Sequence, residues 1–184
     1  MAKKGIEYAV FATRTETESS GSITVTYQGK VISPVAAFNG TPNASYAKDY
    51  GDNRVVEVDT AVVGGTISVE LNNDEDDIYT MLLGHQPSAS EAGDIVYKNS
   101  DTPPIVGVGA IGKSGSDWVA KWYPMVQFHE PNDDNATRQE TTNFGHIILE
   151  GDILVGDDGI WKEHKRLTTL AAAKTWLNGK AGIS

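Results

Sequence analysis

Between Arg54 and His85 the chain reads RVVEVDTAVVGGTISVELNNDEDDIYTMLLGH. Val55, Glu57, Asp59 and Ala61 alternate with Val56, Val58, Thr60 and Val62, a two-residue period that only an extended chain sorts onto two faces. Mixing charged and apolar groups in this way suits a sheet that buries one face and offers the other to a partner. The same patterning predicts strands over residues 6–11, 22–27 and 30–38, with TRTETESSG as a polar turn and Pro34 marking an edge or a bulge. Strands over 55–63 and 66–71 are expected to be hinged at Gly64 and Gly65, where glycine permits a tight reversal. A short acidic helix over about 74–83 comes next. Its expected cap is Asn72 or Asn73, its first turn holds Asp74, Glu75, Asp76 and Asp77, Gly84 stops it, and Ile78, Met81 and Leu82 form its apolar face. Further strands are predicted over 105–111, 118–129, 145–155 and 160–164. A last helix over about 169–178, capped by Thr168, has Leu170, Ala173, Trp176 and Leu177 as its buried stripe. The chain thus reads as mainly β with two helices.

The turn formers in NGTPNASYAKDYGDN, residues 39–53, with Tyr46 and Tyr50 among them, predict an extended loop arm, since a structureless connection of that length in a small domain is usually functional. Residues 131–143 read as a second long loop. At 184 residues the chain suits one domain carrying such arms. No stretch approaches the ~20 apolar residues of a membrane helix, and the start, MAKKGIEYAVFA, lacks the apolar core of a secretion signal. No membrane contact is therefore expected, and the protein is expected to be made and kept in the cytosol.

The absence of cysteine rules out disulfides, thiolate catalysis and cysteine-ligated zinc. The formal net charge of −10 argues against capture of nucleic acid through its phosphates, which needs clustered Lys and Arg. An acidic surface has another use, which is to let DNA slide past without sticking.

One string imitates a catalytic motif. GVGAIGKS, residues 107–114, meets the Walker A pattern through Gly107, Gly112, Lys113 and Ser114. A phosphate loop also requires a helix starting at its lysine, because free amides and the helix dipole supply much of the anion binding. Here the next residues are GSDWVAKWYPMVQF, with turn formers Gly115 and Asp117, a two-residue period and Pro124, so the segment predicts a hairpin and the four residues a decoy. His85, His129, His146 and His164 lack a compact zinc-ligand spacing. No GxSxG elbow accompanies the serines, and neither Asp74–Asp77 nor Asp133 with Asp134 has a calcium-loop pattern. No catalytic, metal-binding or cofactor-binding residue is assigned. Trp118, Trp122, Tyr123, Phe128 and Phe144 read as core, with some placed at a subunit contact.

Four segments, taken in order, resemble the major tail protein, or tail tube protein, of long-tailed bacteriophages with noncontractile tails. They are GIEYAVFA; DNRVVEVDTAVVGGTISVELNNDEDDIYTMLLGH; KWYPMVQFHEP with its continuation to FGHIILEGDIL; and DGIWKEHKRLTTLAAAKTWLNG. The resemblance covers most of the chain. It implies a β-sandwich of partly rolled antiparallel sheets, and a structural virion protein without enzymatic activity or cofactor. Six subunits would form a ring, and rings assembled in the host cytoplasm would stack into the tail tube through which DNA leaves. Implied partners are further copies of the chain, the tape measure, tail terminator and distal tail proteins, and passing DNA held without specific binding. Tyr46, Tyr50 and Arg54 are the candidate contacts between subunits or rings. The GKS string departs from the family expectation. The alternatives are a nucleotide-binding protein using residues 107–114, and a host- or carbohydrate-binding module of a virion.

Overall fold

The computed structural model describes residues 3–32, 34–51, 54–72, 75–132 and 146–183. Among these residues ten strands and a C-terminal helix succeed one another as β1 (Lys3–Ser19), β2 (Ser22–Val31), β3 (Val35–Gly51), β4 (Arg54–Leu71), β5 (Gln86–Pro87), β6 (Ile95–Val96), β7 (Ile105–Ser114), β8 (Asp117–Phe128), β9 (Ile147–Ile153), β10 (Glu163–Leu167) and α1 (Leu170–Ala181). A π-helical turn, Ile78–Leu82, lies between β4 and β5. The main sheet runs β2-β1-β7-β8-β9-β4-β3, antiparallel throughout, with β10 pairing β8 beside β9; β5 and β6 form a separate small pair.

The sheet curls so that its two halves face each other, as a β-sandwich requires. Between them lies one core: Phe11 from β1, Val106 and Val108 from β7, Tyr123, Val126 and Phe128 from β8, Leu149 and Ile153 from β9, Ile67, Val69 and Leu71 from β4, closed by Ile78, Leu82 and Leu83. The rings of Phe38 on β3 and Tyr123 on β8 lie 5.9 Å apart across this roll. A second core forms on the opposite face of β1, β7 and β8, where Val10, Ala12, Ile111, Ala120 and Trp122 receive Ala173, Leu177 and Ala181 of α1. Leu170 and Trp176 flank that contact half-buried, so the expected helical stripe holds.

Strand β7 is therefore buried on both sides, and its composition reflects this. Val106 and Val108 fill the inner core, while Gly107 and Gly109 face the helix side, where a Cβ on Gly107 would stand 2.4 Å from the Trp122 ring and one on Gly109 2.4 Å from Leu177 Cδ1. The glycines admit a large indole and a close helix.

The structure corrects several expectations. Residues 39–51 are not an irregular arm but the greater part of β3, paired along β4; Asp52 and Asn53 lie outside the described residues. Gly64 and Gly65 do not reverse the chain. Ala44 pairs with Val62 and Asn43 with Gly64, leaving Val63 as the additional residue of a bulge at which Gly64 takes φ 140° within a continuous strand. The polar stretch TRTETES is strand, and the reversal needs only Ser20 and Gly21, whose φ values of 53° and 78° suit a tight two-residue hairpin turn. Residues 30–38 split between β2 and β3 around Pro34, and the strand expected over 160–164 begins at Glu163. The acidic helix shrinks to the π-helical turn, ended by Gly84 at φ 80°, with Ile78 and Leu82 buried; Asn73 and Asp74 lie outside the described residues. Thr169, not Thr168, caps α1 by accepting from the Ala172 amide, and the helix runs through Gly179 to Ala181.

Candidate assembly surface

Two hairpins outgrow the sheet that holds them. β1 pairs β7 only as far as Thr13, so residues 14–19 and 22–27 form a ribbon paired within itself. β4 pairs β9 only from Gly65 onward, so residues 54–64 and 43–51 form a second ribbon, about 30 Å long at the usual rise per strand residue. Among the described residues β2 and β3 end the sheet at either side, each with no strand paired to its outer edge.

Alternation gives the first ribbon two unlike faces. Thr13, Thr15, Thr17 and Ser19 stand opposite Gln28, Thr26, Thr24 and Ser22, a face of hydroxyls with one amide. The other face sets Glu16 opposite Val25 and Glu18 opposite Ile23, and Ile23 is 60% exposed. On the second ribbon Tyr46 is 69% and Val63 68% exposed. Tyr46, one of the three contacts expected from sequence, thus projects from the ribbon. Tyr50 and Arg54 lie near its tip, where only their backbone is described. Two-stranded ribbons are marginal alone in water, and exposed aromatic and branched apolar groups on such ribbons are surfaces suited to a partner.

Among the described residues no helix lies over the outer face of β4 and β9, unlike that of β7 and β8. Thr66, Ser68 and Glu70 stand opposite Asp152, Glu150 and Ile148, and a groove of about 240 Å³ lies there between Asn39, Thr41, Ser68, His129, Glu150 and Asp152. His129 Nε2 contacts Asp152 at 3.1 Å and His146 contacts Glu70. Charge is segregated along the chain. The last 24 residues hold five of the fifteen Lys and Arg and only one of the twenty-five Asp and Glu, so acidity gathers elsewhere.

The Walker-like residues form no phosphate site. Gly107, Gly112, Lys113 and Ser114 lie on β7; Lys113 sits over the Trp118 ring at 5.2 Å, Ser114 is buried, and a hairpin turn through Gly115 takes the place of the required helix. Of the predicted aromatics, Trp122, Tyr123 and Phe128 are fully buried and Trp118 packs beside α1, whereas Phe144 lies outside the described residues. Burial raises the Tyr123 phenol above its ordinary value. Residues 133–143 of the second expected loop also lie outside them.

Sequence reasoning passed over one polar cluster. His85 is 93% buried at its side chain, with Nδ1 2.9 Å from Asp101 Oδ2 and Nε2 2.9 Å from Glu130 Oε2, and the Tyr97 ring centred 4.2 Å away. Burial works against a charged ring, but the hydrogen bonds to Asp101 and Glu130 and their negative charge prevail, raising the His85 pKa. The same bond, with one from the Lys98 amide, holds Asp101 below the carboxylate norm. Because the two carboxylates address opposite sides of the ring, they do not converge on a common point; among the described residues no group of three His, Asp or Glu could hold a metal ion. Spacings of 16 and 45 residues left no signal by which the sequence could have joined them.

Compared with known families and curated proteins, the chain matches no family model and no curated sequence.

Proposed function

We propose that this chain is a structural subunit of a bacteriophage tail tube, self-assembling through its ribbons and open sheet edges into stacked, hexameric rings through which DNA is ejected. The observation that carries the reading is the pair of hairpins extending beyond their own sheet with Ile23, Tyr46 and Val63 in water. Burying these groups between copies would remove apolar surface from water. Joining β2 of one copy to β3 of the next would remove both open edges, and closure of the repeated heterologous contact would make a ring. The β4–β9 face, over which no helix of the described residues lies, has Glu70, Glu150 and Asp152 and supports a lumen that repels phosphate, so that DNA passes with little friction. In this reading the role is structural rather than enzymatic, the protein resides in the virion tail after assembly in the host cytoplasm, and its other partners are the proteins that measure, terminate and begin the tail.

Negative-stain electron microscopy of concentrated protein tests it. Hollow tubes or stacked rings are expected from the intact chain, and lone particles from a variant in which residues 46–60 are replaced by Asn-Gly, which closes the hairpin at the Ser45–Ala61 pair. Lone particles from the intact chain at every concentration, with or without other tail proteins, would overturn the reading.

A further inference from the structure

The His85 cluster joins three parts of the molecule that the sheet does not. His85 comes just after the π-helical turn, and its backbone N–H donates to Tyr79 O. Asp101 belongs to the turn before β7, where it also accepts from the Lys98 amide, and Glu130 lies two residues beyond the end of β8. Gly84, just before the histidine, is packed so tightly that a Cβ would stand 2.6 Å from Thr102 O, which fixes the approach of the ring.

The stoichiometry of protons decides what this geometry can do. An ionised carboxylate only accepts hydrogen bonds, and a neutral imidazole has one N–H and one lone pair. Two carboxylates on two ring nitrogens are therefore both satisfied only by imidazolium; the neutral ring turns a lone pair toward one of them. We infer that His85, Asp101 and Glu130 form a protonation-dependent clasp, closed while the ring is charged, which ties the end of β8 and the 97–101 turn to the π-helical turn and lets go when the ring loses its proton. Among the described residues the Tyr97 ring lies tilted against the imidazole, the Tyr79 ring lies 6.0 Å from that of Tyr97, and Lys98 enters through its backbone. The imidazole is the group whose loss of a proton changes this count of donors and acceptors as pH rises. The clasp does not depend on tube assembly, and it operates in a lone subunit.

Nitrogen-15 NMR of the imidazole in the intact protein, combined with amide exchange, tests the clasp. Both ring nitrogens are expected to carry protons at about pH 6, and one of them to have lost its proton at the alkaline end of the ring's titration. Across that interval amides at 97–102 and 129–130, corrected for intrinsic base catalysis, should open about tenfold more often for each pH unit that the ring's titration lies above its free value. Glu130→Gln supplies an amide N–H to the ring lone pair, so a neutral His85 then has two partners. That variant should keep these amides protected at both pH values, whereas Glu130→Ala should expose them at both. A ring already neutral at about pH 6, or wild-type protection that is the same at both ends of the range, would overturn the clasp. So would Glu130→Gln showing the same pH-dependent opening as wild type.

Discussion

Strands β7 and β1 illustrate two opposite uses of the same secondary structure. β7 is covered on both faces, by the inner core and by α1, and it takes glycine where neighbours press closest. β1 passes through that environment at Val10, Phe11 and Ala12 and then leaves it, so that its last residues pair only with β2 and meet water on both faces. Stability is concentrated in the first kind of strand, because each side chain there removes apolar surface from water against two layers. The second kind contributes little to a lone subunit. What it retains is the capacity to bury surface later.

That contrast can be broken most severely at Trp122, which packs against Gly107 and edge-on to Tyr27 at 5.2 Å. Trp122→Ala should cost about 3–5 kcal/mol, read as a lower denaturation midpoint in the monomeric protein. Gly107→Ala attacks the same contact from the other side, by overpacking, and an intermediate loss of about 1–3 kcal/mol is expected from the same measurement. Losing the helix cap through Thr169→Ala should cost about 1 kcal/mol, detectable as a lower melting temperature. On the ribbons the order reverses. Ile23→Ser and Tyr46→Ser should change monomer stability by no more than about 0.5 kcal/mol while abolishing or shortening tubes in micrographs; a fall in stability comparable with that of Trp122→Ala would erase the distinction between the two regions.

The smallest effect concerns pH. His85 has a raised folded pKa, so its contribution is complete below its unfolded value, near pH 6.5, and is lost as pH climbs through the raised value. Asp101 is depressed, so its contribution is present above its ordinary 3.8 and is lost as pH falls through the lower value. Stability from this pair is therefore greatest in the weakly acid range and declines on both sides. Melting temperature against pH should show this curvature in wild type, and His85→Gln should flatten its alkaline side.

Legibility in the sequence tracked the physics of each element. The core strands and α1 were readable because apolar residues recur with the period of the element they form; Val106 and Val108, or Ala173 and Leu177, announce a buried face locally. The same logic exposed the Walker-like string as a hairpin, since the residues after Ser114 have strand period. One strand of each ribbon was misread, residues 13–19 of β1 and 39–51 of β3, because the Glu residues of the first and the Asn, Gly, Pro and Asp residues of the second have weak strand preference and are held extended by the partner strand, whereas 22–27 and 55–63 read correctly as strand. Proline is tolerated at Pro42 because β3 is an edge. The exposed apolar residues of the ribbons were only partly legible. Tyr46 is outside, as expected from its setting among turn formers, whereas nothing local distinguished Ile23 or Val63 from core residues.

Amino-acid order alone thus determined a mainly β chain with a C-terminal helix, an acidic balance and no thiol chemistry, because period, charge and composition are properties of neighbours along the backbone. Tertiary structure decided that an apparent loop is a ribbon, that two glycines make a bulge instead of a reversal, and that His85 faces two carboxylates. Each of those depends on residues brought together across long separations, and the free energy of such contacts exists only after the sheet has curled and placed them side by side.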